Sequence, residues 1–89
     1  MGQQTLRAQL ERLDAELRRT ESLDDDEREV LRRLERDIRE ALGREGEHPQ
    51  AYEGLGERLR EAVARLEASH PAATMMMRQV IDQLSFMGI

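Results

Sequence analysis

The sequence predicts an all-α protein, two helical hairpins forming a small helical bundle that is completed by homo-oligomerisation. Three observations predict it. Leu6, Leu10, Leu13 and Leu17 are spaced 4, 3 and 4 residues apart, the a/d seam of a coiled-coil-like helix contact. The aromatic residues are one Tyr and one Phe, and there is no Cys, so the core must be aliphatic and has no disulfide or thiolate metal site to support it. The last 20 residues, His70–Ile89, hold only two charges, Arg78 and Asp82, against 31 in the residues before them. A surface helix needs one apolar stripe; this segment has more, and reads as a helix covered on more than one side. Eighty-nine residues make one domain, 1–89, small enough that self-association is the remaining way to enlarge its core.

The elements follow in order. The leucine seam sets a first helix over about residues 3–20, with Arg7–Glu11 and Asp14–Arg18 as i,i+4 pairs. Thr20 to Glu27 is a break and a restart, where Ser22 with Asp25, or Asp24 with Glu27, can form a capping box. The Asp-Asp-Asp-Glu run lacks the Gly and the distal Glu of a calcium loop and reads as capping. A second helix over 23–42 carries Val30, Leu31, Leu34, Ile38, Ala41 and Leu42, and Gly43 and Gly46 stop it. The short break makes the first two helices an antiparallel hairpin. Residues 43–56 hold four Gly and one Pro, and each Gly inside a helix costs about 1 kcal/mol relative to Ala. A flexible glycine-rich loop is therefore expected over 43–54, with a third helix over 55–68 turning Leu59, Ala62, Val63 and Leu66 inward. Ser69-His70-Pro71 is a helix-start signal for a fourth helix over 71–87. The heptad register runs on through Pro71, as in one kinked helix, but Pro inside a helix costs ~3 kcal/mol, which favours a break.

Composition excludes several kinds of chemistry. The net charge is −5, with eleven acidic residues against six Arg over 21–47, which argues against a nucleic-acid partner. Residues 1–20 contain no apolar leader. Arg78, Gln79, Asp82 and Gln83 keep the terminal segment from spanning a bilayer, so no membrane partner and a cytoplasmic location are expected. His48 and His70 each precede Pro, without a second ligand at helical spacing; zinc needs at least three protein ligands, so no metal and no cofactor are expected. No phosphate loop or nucleophile motif occurs, and the protein is expected not to be an enzyme. Arg28, Arg32, Arg36 and Arg39 could suggest a phosphate stripe, but Glu29, Glu35, Asp37 and Glu40 neutralise it. In Met75-Met76-Met77, the helical period places Met76 and Met77 with Ala73, Val80, Leu84 and Met87, and Met75 with Phe86 and Ile89 on the far side.

Together these readings point to a non-enzymatic, homo-oligomeric interaction or assembly module, dimer or tetramer. Its candidate contact surface comprises Leu6, Leu10, Leu13, Leu17, Met75, Met77, Val80, Leu84, Phe86 and Ile89. The alternative is a regulatory, chaperone-like binder that holds a client peptide on its Met-rich last helix.

Two stretches carry a family likeness: RTESLDDDEREVLRRLERDI at 19–38, and RLEASHP with RQVIDQLSFMGI between 65 and 89. On these the chain resembles the bacterial domain-of-unknown-function 4404 family, short acidic helical proteins. The Glu-Ala-Ser-His-Pro stretch and the Met-Gly-Ile ending are the most specific parts, and residues 43–56 lie outside the likeness. The resemblance implies a stand-alone bacterial protein and brings no activity, cofactor or catalytic residue with it.

Overall fold

The computed structural model describes residues 5–43 and 49–88. Four helices follow one another: α1 (Leu6–Arg19), α2 (Asp25–Gly43), α3 (Pro49–Leu66) and α4 (Pro71–Phe86). Thr5 starts α1, its hydroxyl accepting from the Ala8 N–H at 3.1 Å. Asp24 starts α2 through a reciprocal capping box. The Glu27 N–H donates to Asp24 Oδ1 at 2.7 Å and the Asp24 N–H donates to Glu27 Oε1 at 3.0 Å, so two otherwise orphaned donors are satisfied. Of the two boxes the sequence allows, the structure uses Asp24 with Glu27; Ser22 instead adopts a left-handed backbone, φ 62°, which turns the chain between α1 and α2. Pro71 takes the first position of α4 after His70 at the N-cap. The break between α3 and α4 is therefore a chain reversal, as the cost of an interior Pro requires.

Each helix packs against two others, α1 on α2 and α4, and α3 on α2 and α4, and among the described residues the diagonal pairs bring no two Cα atoms within 8 Å. This is an up-down-up-down bundle. Asp37 of α2 pairs with Arg58 of α3 at 3.3 Å, and His70 at the start of α4 meets Glu21 just past the end of α1. Both contacts fit antiparallel neighbours. One side chain from each helix recurs in the core: Leu13, Leu34, Leu59 and Met77 are fully buried. The radius of gyration is 12.4 Å, against about 12 Å expected of a compact chain this long, so the four helices close a core within one chain.

The start of α3 departs from expectation. The 43–54 loop is not a loop throughout: Gly43 closes α2, and Gly54 and Gly56 lie inside α3, which starts six residues earlier than the predicted Leu55. Residues 44–48, including His48, are outside the described part. The glycine penalty of about 1 kcal/mol each is offset because the added turns bring Tyr52, partly buried, against the core just ahead of the fully buried Leu55. Pro49 supplies a favoured first residue. The other end of α3 comes earlier than expected, at Leu66, and tapers through the Glu67 N–H to Val63 C=O and His70 N–H to Leu66 C=O bonds.

A substitution checks the revised helix. Gly54 is exposed, and a Cβ there meets nothing within 4 Å. Gly54→Ala should stabilise the protein by about 1 kcal/mol, read as a rise in Tm of roughly 4–8 °C. An unchanged or lowered Tm would mean that the helix does not extend back through position 54.

Candidate functional site

Both inter-helix links at one end of the bundle converge on Glu27. This carboxylate belongs to the α2 capping box, yet it is only 9 % exposed, because its second oxygen faces the α3–α4 link. Ser69 Oγ donates to Glu27 Oε2 at 2.6 Å. The same hydroxyl lies 2.9 Å from His70 Nδ1, and the His70 ring closes the circuit with Nε2 2.9 Å from the Glu21 carbonyl oxygen. His70 Nδ1 also lies 3.9 Å from Glu27 Oε2. The α1–α2 link and the α3–α4 link are thus tied by a polar clasp.

The Ser69 hydroxyl and then the Asp24 N–H hold the Glu27 carboxyl below its ordinary pKa; burial opposes them, and the nearby His70 charge adds to the lowering. A carboxylate with a depressed folded pKa contributes stability that is present above its unfolded value and lost as pH falls through the folded one. Glu27 therefore supports the clasp from neutral pH down into the acid range.

Serine, histidine and a carboxylate can form a nucleophile, but there the imidazole stands between the other two and removes the hydroxyl proton. Here Ser69 stands in the middle, with Glu27 Oε2 on one side and His70 Nδ1 on the other, while Nε2 is occupied by the Glu21 carbonyl. In this order the Ser69 hydroxyl ties the Glu27 carboxylate of α2 to the imidazole at the start of α4. Among the described residues, no three His, Cys, Asp or Glu side chains converge as a metal site requires.

Beside the clasp is a shallow hollow of ≈ 200 Å³ between the end of α1 and the start of α4, lined by Glu16, Thr20, Glu21, His70, Pro71, Ala72 and Ala73. A groove on the outer side of α2 is lined by Arg32, Glu35, Arg36, Arg39 and Glu40. The interleaved acids fall where the sequence places them, and the groove presents mixed charge rather than an anion stripe.

The residues expected to form a contact surface separate into two groups. Leu6, Leu10, Leu13 and Leu17 are at most 7 % exposed. Their expected role at a surface is corrected: the seam faces the chain's own α2 and α4. Met77, Val80 and Leu84 are likewise internal. Burial of α4 is one stripe with half-buried flanks, Met76 and Ile81, rather than two covered faces. Met75 and Phe86 lie on the outer side, 62 % and 87 % exposed, with Met87 at 37 %. Ile89 is outside the described residues. The clasp was missed in the sequence, where Glu27 and His70 read only as helix-end residues.

Among the described residues, no helix is long and apolar enough to cross a membrane. Comparison with curated proteins and with solved structures gives no match. The family comparison does: the match runs over residues 6–89 and takes in all four helices and the whole clasp, so the chain belongs to the family described as Domain of unknown function (DUF4404).

Proposed function

We propose that this protein is a non-enzymatic assembly module of the bacterial cytoplasm, working as a homodimer joined through the outer face of α4. The observation that carries this reading is the exposure of Phe86, the chain's one Phe, on the same helix face as Met75. At about 100° per residue, Met75, Gln79, Asp82 and Phe86 fall within roughly 60° of one another, on the side of α4 opposite its buried stripe.

The strip is self-complementary. A two-fold axis crossing its middle sets Met75 of one copy opposite Phe86 of the other, and Gln79 opposite Asp82. A sulfur–aromatic contact then forms at each end, and hydrogen-bonding groups meet in the centre. Isologous pairing of this kind is the commonest form of soluble oligomer. The client-binding alternative has less support, since Met77 is fully buried and Met76 half-buried, which leaves no continuous Met-lined groove. The cytoplasmic assignment rests on the absence of cysteine from the sequence.

Light scattering coupled to size exclusion tests the reading. At micromolar concentration the wild-type chain should run as a dimer, and Met75→Gln with Phe86→Gln should run as a monomer with unchanged helix content. A wild-type monomer, or a double variant that still dimerises, would refute it.

A further inference from the structure

Three consecutive methionines of α4 sit at three depths. Met77 is fully buried, Met76 is half-buried against the core, and Met75 is 62 % exposed. Met87, just past the helix, is partly exposed. The chain has no cysteine, so oxidation at sulfur falls on its thioethers, and the exposed ones react before the buried ones. A peroxide therefore reaches Met75 ahead of Met77. Met75 is also the side chain that the pairing of two α4 strips sets against Phe86.

We propose that Met75 is an oxidation switch for the α4 dimer, its conversion to the sulfoxide by a peroxide separating the subunits; this inference rests on the dimer reading above. Hydrogen peroxide delivers one oxygen to the thioether. The S–O bond forms as the peroxide O–O bond breaks, and the sulfur gives up two electrons. The second oxygen takes the proton of the delivered one and leaves as water. The product is polar where the thioether was apolar. It faces the Phe86 ring of the second copy, which offers the sulfoxide oxygen no donor, and a polar group covered without a partner opposes association. Gln79, one turn along, faces Asp82 of the second copy instead. Two-fold symmetry repeats the loss at both ends of the strip. At about tenfold for each sulfur–aromatic contact replaced, the dissociation constant rises about a hundredfold. Met77 stays shielded in the core, so the subunits part without unfolding. Methionine sulfoxide is reducible back to the thioether, which resets the switch.

The test treats wild type, Met75→Leu and Met87→Leu with hydrogen peroxide until peptide mass mapping shows Met75 of the wild type converted and Met77 intact. Light scattering coupled to size exclusion then reads the assembly at micromolar concentration, and circular dichroism reads the helix content. Wild type and Met87→Leu should pass from dimer to folded monomer. Met75→Leu, which keeps an apolar side chain without a reactive sulfur, should stay a dimer. Methionine sulfoxide reductases for both sulfoxide epimers should return oxidised wild type to the dimer. A wild type that stays dimeric with Met75 oxidised would overturn the switch and leave the dimer standing. So would peroxide separating Met75→Leu as well, or Met75 oxidised no faster than Met77. A wild type that is monomeric before treatment would overturn the dimer reading and the switch with it.

Discussion

Replacing Leu84 with aspartate unfolds the chain, whereas replacing Arg36 with alanine leaves its melting temperature almost unchanged. Leu84 is 3 % exposed and packs where α4 approaches α3 beside Gly56; a Cβ built on that glycine would stand 3.9 Å from Leu84 Cδ1. Losing a buried Leu side chain costs roughly 2–5 kcal/mol, and an unpaired carboxylate left in its place adds several more. Domains have only about 5–15 kcal/mol of total stability, and one this small falls toward the low end. Arg36 is exposed on the charge-mixed face of α2, where single contacts are worth about 1 kcal/mol or less. Far-UV circular dichroism with a melt separates the two variants. A cooperative, wild-type-like transition for Leu84→Asp would mean that α4 does not bury the stripe described.

Leu13→Ala should cost roughly 2–5 kcal/mol, and the loss relative to wild type should not vary when both proteins are diluted a hundredfold. The side chain is fully buried in a seam that faces the chain's own helices. A seam made between subunits would dissociate by mass action, and its energetic contribution would depend on concentration. Denaturant unfolding at two concentrations measures this; a loss that changes with dilution would return the seam to an interface.

This second prediction marks where the sequence was legible and where it was not. The 4-3-4 spacing of Leu6, Leu10, Leu13 and Leu17 states that the helix buries a narrow stripe, and it does. Periodicity carries no information about what covers the stripe, so a second chain and the chain's own α2 and α4 look alike. The capping box of Asp24 and Glu27 was legible because it is local, three residues apart. The start of α3 was not, because glycine propensity acts locally while the packing of Tyr52 against the core that offsets it depends on the other helices being in place. The clasp was hidden for the same reason. Glu27 and Ser69 are separated by 42 residues, and Glu21 and His70 by 49. Each has an ordinary helix-end explanation that exhausts its local signal. On α4, the helical period alone placed Met75 and Phe86 opposite the buried stripe.

The central proposal, pairing through the outer strip of α4, has a direct measurement. The chain contains no cysteine, so single cysteines report geometry without background. Met75→Cys and Phe86→Cys proteins, mixed and oxidised, should form a disulfide-linked heterodimer, because the two-fold axis places position 75 opposite position 86. Met75→Cys alone should not crosslink to itself. Antiparallel pairing puts its two copies about 16 Å apart along the helix at a rise of 1.5 Å per residue, too far for a disulfide. Crosslinking of Met75→Cys to itself, or none in the mixture, would contradict the account.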